Sequence, residues 1–117
     1  ASDGYGGRLL WTRNNDWQRP GYNWARWYSR LAAGRYEVFA FIPYRYTTTA
    51  GARYLVSYAG GYASRVVDQS TSGDRWVSLG TYWFGGGSDE YVELNDVTGE
   101  ARLSRLIAFD AVKWVSR

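Results

Sequence analysis

The 117-residue sequence contains no cysteine and no histidine. Without cysteine it can form no disulfide, thiolate nucleophile or cysteine-bound metal site, and without histidine it lacks the commonest general base and the commonest zinc ligand. Most familiar catalytic constellations are therefore excluded, and we predict that the chain is not an enzyme. The absence of cysteine fits an exported bacterial protein as well as a cytosolic one, so it does not decide the compartment.

The chain also lacks methionine, a signal peptide and any apolar run near the ~18 residues that a membrane-spanning helix needs. Because translation starts with methionine, we expect a piece of a longer polypeptide whose targeting signal lies outside this sequence. A mass of 13.3 kDa suits one two-layer core without room for a separate substrate domain. Residues 1–117 are accordingly predicted to form a single module.

Aromatic residues and arginine are abundant instead. Seven tryptophans and eleven tyrosines bring the aromatic content to 19%, which exceeds what a core of this size requires, so we expect some rings to be exposed. Thirteen of the fourteen cationic residues are arginine, which stacks on rings and binds planar anions, although codon bias would give the same excess. The net charge of +3 weakly favours acidic partners such as nucleic acid, teichoic acid or anionic polysaccharide.

The segment Gly34–Pro43 is the clearest predicted strand, because a glycine turn precedes it, β-branched and aromatic residues fill it, and proline ends it. Alternation assigns its side chains to two largely apolar faces, which favours a central strand between two layers. One face carries Tyr36, Val38, Ala40 and Ile42, and the other carries Glu37, Phe39 and Phe41.

Further strands recur about every ten residues, separated by glycine-rich turns, with no convincing helix. Gly60-Gly61 predicts a tight β-hairpin, because both glycines can take the positive φ that such a turn demands, and Gly80 marks a bulge or a close backbone approach within its strand. The pattern predicts an all-β fold, specifically an antiparallel, jelly-roll-like β-sandwich. The expected strands are Arg8–Thr12, Asn23–Leu31, Ala52–Ala59, Tyr62–Gln69, Arg75–Phe84, Glu90–Leu94 and Arg105–Val115.

Six motifs carry a resemblance to a known family: AAGRYEVFAFIPY (Ala32–Tyr44), YLVSYAGG (Tyr54–Gly61), VVDQ (Val66–Gln69), DRWVSLGTYWF (Asp74–Phe84), YVELND (Tyr91–Asp96) and IAFDAVKWV (Ile107–Val115). In this order they resemble the golvesin C-terminal, or xanthan-lyase carbohydrate-binding-like, domain. The resemblance implies a non-catalytic bacterial β-sandwich appended to exported hydrolases, amidases and surface proteins, and hence an extracellular or cell-surface location. Family members usually carry one more strand before the GYGG-like segment near which this sequence begins.

The binding candidates are aromatic residues in or beside predicted loops. A ring offers a flat apolar surface to the C–H face of a pyranose, and neighbouring arginine or asparagine supplies hydrogen bonds. The alternative is that these rings cover the open end of the sandwich or stack with arginines. The predicted ligand-binding residues are Trp17, Tyr22, Trp24, Trp27, Tyr28, Tyr44 and Tyr46, whereas Trp76, Trp83 and Trp114 are expected in the core.

Two aspartates remain to be explained. Asp110 interrupts an apolar strand, where a carboxylate must be paired, hydrogen-bonded or bound to a metal. An ion pair or backbone network is favoured, and a structural calcium is the alternative. Asp68 is predicted to cap a turn, and a glycosidase pair of Asp68 with Asp110 is the weakest interpretation. Apart from that calcium, no cofactor is expected.

Three functions compete. The first is a carbohydrate- or cell-wall-binding module that contacts polysaccharide or peptidoglycan and the neighbouring domains of its parent protein. The second is a structural or adhesive module whose aromatic surface meets another protein. Nucleic-acid binding ranks last, because the arginines form no dense run.

Overall fold

The computed structural model describes residues 10–15, 24–43, 49–71, 73–87, 89–100 and 104–117. These contain nine strands and one short 3-10 turn, Gln69–Thr71. No helix in the described ranges has the length and apolarity needed to cross a membrane. The strands are β1 (Leu10–Arg13), β2 (Trp24–Tyr28), β3 (Gly34–Ile42), β4 (Ala52–Tyr58), β5 (Gly61–Val67), β6 (Arg75–Phe84), β7 (Tyr91–Asn95), β8 (Leu106–Phe109) and β9 (Val112–Ser116).

The strands form three antiparallel sheets, in the orders β2-β7-β4-β5, β6-β3-β9 and β1-β8. Apolar side chains from the four-stranded and three-stranded sheets meet in one buried cluster, which the two-stranded sheet extends through Ile107 and Phe109. The predicted all-β, antiparallel, jelly-roll-like sandwich in a single domain is confirmed.

Strand β3 is the centre of its sheet, with β6 on one side and β9 on the other. Val38, Ala40 and Ile42 point into the core and are almost completely buried. The opposite face was expected to be covered by a second layer, but Phe39 and Phe41 are only half-buried there. Side chains from β6 and β9, rather than another sheet, cover part of that face, so the expectation of a strand enclosed on both sides is corrected.

A bulge in β6 changes which tryptophans point outward. Gly80 has φ +109°, and the register with β3 shifts between Val38 and Phe39, so the predicted irregularity at Gly80 is confirmed. The extra residue reverses the side-chain alternation along β6. Trp76 and Trp83, both expected in the core, therefore lie on the outer face instead, and Trp83 is 58% exposed.

The predicted hairpin joins β4 to β5, with Tyr58 paired to Gly61, so the turn residues are Ala59 and Gly60. The predicted hairpin is confirmed, and of its two glycines Gly61 has positive φ, at +139°, whereas Gly60 does not. The chain passes from one sheet to the next between β8 and β9. The single strand expected over Arg105–Val115 is therefore wrong, since residues 110 and 111 separate two strands.

A fully buried glutamine connects the two-stranded sheet to the sandwich. The Gln69 side chain accepts a hydrogen bond from Ala108 N at 3.0 Å and donates to Ala108 O at 3.0 Å and to the Tyr54 hydroxyl at 3.3 Å. The amide oxygen and the amide nitrogen of Gln69 therefore both have hydrogen-bond partners, which lie in β8 and β4. The arrangement fixes the edge of β8 against the core.

Candidate functional site

The outer face of the four-stranded sheet, called here the four-strand face, is built by strand alternation. In β2 the side chains of Trp24, Arg26 and Tyr28 are exposed, whereas Ala25 and Trp27 turn inward and pack against the core. The period of two arises because successive side chains of a strand point to opposite sides of the sheet. Three consecutive outward positions of β2 thus form one edge of this face.

Strand pairing places polar and aromatic side chains of β7 beside them. Tyr28 pairs with Tyr91, and Arg26 pairs with Glu93. Farther across the sheet, β5 contributes Tyr62, opposite the small Ser57 of β4. The residues that define the site are Trp24, Arg26, Tyr28, Tyr62, Tyr91 and Glu93.

Large apolar side chains are unusually exposed on this face. Trp24 is 55% exposed, Tyr28 45% and Tyr62 66%. Together with Val66 of β5 they make up four of the five exposed large hydrophobic side chains in the described part of the chain. Such a concentration on one surface is typical of an interaction site rather than of scattered surface residues.

Arg26 contacts two aromatic rings of this face, those of Trp24 and Tyr91. Its Nε donates to Glu93 Oε1 at 2.8 Å, while its guanidinium carbon lies 4.3 Å from the Tyr91 ring centroid and 5.2 Å from that of Trp24. The hydrogen bond to Glu93, followed by one to Tyr28, raises the pKa of Arg26, so this side chain is charged at every accessible pH. Ion pair and cation–π contacts therefore hold Trp24 and Tyr91 in fixed relation to one another.

The tyrosines supply both stacking surface and hydroxyl groups. Tyr28 and Tyr91 meet edge to face, with ring centroids 5.7 Å apart and an interplanar angle of 61°. Burial raises the pKa of Tyr91, the charge of Arg26 opposes that shift, and Tyr62 and Glu93 add smaller contributions in the same direction as burial, so the net pKa is raised. Its hydroxyl is therefore protonated at neutral pH and can donate a hydrogen bond as well as accept one.

The outer face of the three-stranded sheet, called here the three-strand face, is also aromatic, but cations cover its rings. Lys113 Nζ lies 4.4 Å from the Trp76 ring centroid and 5.2 Å from that of Phe39. Arg117 pairs with Glu37 at 2.9 Å. Trp83 is the one large hydrophobic side chain of this face that is mostly exposed, among the residues the structure describes. The four-strand face therefore offers more uncovered aromatic surface.

The predicted ligand-binding residues divide into three groups. Trp24 and Tyr28 lie on the four-strand face. Trp27 belongs to the opposite side of β2, half-buried against the core, and so is not part of this surface. The remaining predicted residues, Trp17, Tyr22, Tyr44 and Tyr46, lie outside the described residues.

Four residues of the site were not predicted from the sequence: Arg26, Tyr62, Tyr91 and Glu93. Binding rings were expected in or beside loops, whereas these side chains lie in the middle of strands or at a strand start. The available signal was alternation, which placed Arg26 on the same side as Trp24 and Tyr28. Choosing Tyr91 and Tyr62 would have required the strand order, which no local pattern contains.

The two aspartates occupy different environments. The Asp68 carboxylate accepts a hydrogen bond from Ser70 N at 3.0 Å, which confirms its predicted role in capping a turn. Asp110 lies half-buried in the connection between β8 and β9 rather than inside a strand. Burial raises the pKa of Tyr54, and the negative charge of Asp110 raises it further, while the hydrogen bond from Gln69 lowers it. The described residues contain no group of three acidic side chains that could hold a metal, and calcium at Asp110 stays a prediction that EDTA treatment would test.

Comparison with known proteins identifies relatives of this chain. Residues 2–116 match the family described as the Golvesin C-terminal domain. A "Xanthan lyase" of Bacillus sp. (strain GL1) is 35% identical over 85 residues, which are 72% of this chain but 9% of that protein. The solved structure of a Paenibacillus xanthan lyase matches all of this chain and 13% of its own, with a TM-score of 0.70 and 21% identity, and so shares the fold. The chain thus spans a small fraction of the length of these relatives.

Proposed function

The chain belongs to the Golvesin C-terminal domain family, and from that premise we propose that it is a non-catalytic accessory module that binds polysaccharide through its four-strand face. The module holds a larger extracellular protein on its substrate, as the xanthan lyases to which it is similar suggest. Cell-wall glycans such as peptidoglycan belong to the same class of ligand.

One observation carries the proposal: three exposed rings and a positioned arginine share one broad sheet face. Trp24 and Tyr28 lie on β2 and Tyr62 lies on β5, three strand spacings or about 14 Å away. Aromatic faces pack against the apolar side of sugar rings, and tyrosine hydroxyls with Arg26 and Glu93 offer hydrogen bonds to sugar hydroxyls. An open sheet face of this width accommodates an extended chain rather than a small molecule enclosed in a cavity.

The proposal is tested with a panel of insoluble and immobilised polysaccharides that includes xanthan, cellulose and peptidoglycan. Trp24→Ala removes an exposed ring from the four-strand face, and Trp83→Ala is its matched control, because Trp83 is similarly exposed on the three-strand face. We expect selective binding that Trp24→Ala weakens about 5- to 13-fold, since stacking of one ring contributes about 1–1.5 kcal/mol. Equal binding by both variants, or no binding anywhere on the panel, contradicts the proposal.

The second candidate is a structural or adhesive role in which the three-strand face meets another domain. The exposed Trp83 beside Arg35 favours it, because an isolated aromatic next to an arginine is typical of protein interfaces. Sedimentation of the purified chain distinguishes the two roles, since self-association abolished by Trp83→Ala supports this alternative.

A further inference from the structure

The charges of the four-strand face do not cancel. Outward positions of its four strands carry three charged side chains, namely Arg26, Arg53 and Glu93. Arg26 and Glu93 neutralise one another through their 2.8 Å ion pair. Arg53 is exposed and has no ion pair among the described residues, so the face keeps one uncompensated positive charge.

Arg53 lies in line with the exposed tryptophan. Trp24 pairs with Asn95 of β7, and the β4–β7 register, in which Tyr54 faces Leu94, brings Arg53 opposite the same asparagine. Two strand spacings, or about 10 Å, therefore separate the backbones of Trp24 and Arg53, with Asn95 between them. This is roughly the length of a disaccharide, so a sugar stacked on Trp24 places the second sugar along the chain above β4, beside Arg53.

We infer that Arg53 is a carboxylate subsite and that the polysaccharide bound by this face is acidic, with a sugar carboxylate two residues away from the sugar stacked on Trp24. The inference rests on the proposed function. The planar guanidinium fork matches a carboxylate with two parallel hydrogen bonds, which ammonium or amide groups cannot reproduce. Beside it, Asn95 Oδ1 accepts a hydrogen bond from Val97 N at 3.0 Å, which fixes the Asn95 amide next to the path of the polysaccharide.

General basicity must be separated from this specific contact, because any protein with a pI near 9.3 attracts polyanions. The chain provides a matched control in Arg35, which is also exposed, also outward on its sheet and also adjacent to an exposed tryptophan, Trp83, but on the three-strand face. Arg53→Gln and Arg35→Gln lower the net charge equally. A non-specific attraction therefore falls equally in both variants.

The experiment measures affinity of the wild type and both variants for xanthan, alginate and polygalacturonate, each in its native form and after reduction of its carboxylates to neutral alcohols. We expect the wild type to prefer at least one native polymer over its reduced form about fivefold, the difference that an exposed bidentate contact gives. Arg53→Gln should remove this preference and leave affinity for the reduced polymer unchanged, while Arg35→Gln retains it.

The other outcomes separate the inference from the proposed function. If the wild type binds native and reduced polymers equally and Trp24→Ala still loses binding, the inference of an acidic ligand is overturned. The proposal of polysaccharide binding at the four-strand face then stands. If both arginine variants reduce the preference for the native polymer equally, that preference arises from net charge. This result likewise overturns the Arg53 subsite. Absence of binding to every native and reduced polymer overturns both.

Discussion

Replacement of Gln69 by leucine is expected to be one of the most damaging single changes in the domain. The substitution leaves three buried groups without their partner, namely the N–H and C=O of Ala108 and the hydroxyl of Tyr54. Each buried polar group left unpaired costs about 1–3 kcal/mol, so the total for three groups is roughly 3–9 kcal/mol. A domain of this length has about 5–15 kcal/mol to lose.

Urea denaturation followed by tryptophan fluorescence measures this loss, with Ser64→Ala, an exposed position on β5, as the control that should change stability by less than about 0.5 kcal/mol. Gln69→Glu adds a second test. Burial raises the pKa of a glutamate above its value in the unfolded chain. The variant protein is therefore most stable at low pH, and its stability falls as pH rises through the folded pKa. A cost of Gln69→Leu below about 1 kcal/mol would refute the role assigned to this amide.

Two further predictions concern stability. Gly80→Ala should destabilise by about 1–3 kcal/mol, because φ is +109° and a Cβ would lie 2.6 Å from the Tyr82 hydroxyl, whereas Gly87→Ala, whose nearest atom would be 3.9 Å away, should be nearly neutral by thermal melting. For Glu100, burial raises its pKa, but hydrogen bonds from Thr49, Ala50 and Thr98 and the charge of Arg105 outweigh it, and the net pKa is lowered from 4.5. The stabilisation that Glu100 gives is therefore complete above the unfolded pKa and is lost as pH falls through the folded pKa. Glu100→Gln should consequently weaken the acid dependence of the free energy of unfolding, and an unchanged pH profile would contradict this.

Local sequence patterns predicted the fold because its strands show clear alternation and are separated by glycine-rich turns. The strand Gly34–Ile42 shows the expected alternation, and Arg75–Phe84 has the predicted bounds. The prediction failed where one residue changed the alternation, since the bulge at Gly80 moved Trp83 to the surface. A bulge can be suspected from a glycine, but its effect on the faces depends on pairing with the neighbouring strand.

The candidate site was predicted in part for the same reason. Alternation in β2 groups Trp24 with Tyr28, and both lie on the four-strand face. Tyr91 and Tyr62 lie on the same face because their strands, β7 and β5, belong to the same sheet as β2. The order of that sheet, β2-β7-β4-β5, does not follow the order of the strands in the sequence. Non-local strand order is set by packing of the whole core, which periodicity within one segment does not encode.

The most direct test of the central claim is a nitrogen-15 NMR titration of the wild type with oligosaccharides of the polymer that binds best. The indole N–H signals of Trp24 and Trp83 report the two outer faces separately, because both side chains are more than half exposed. Binding at the four-strand face predicts saturable shifts of the Trp24 indole and of β2, β7 and β4 amides, with the Trp83 indole unchanged. Shifts centred on Trp83 and β6, with Trp24 unaffected, would contradict binding at the four-strand face.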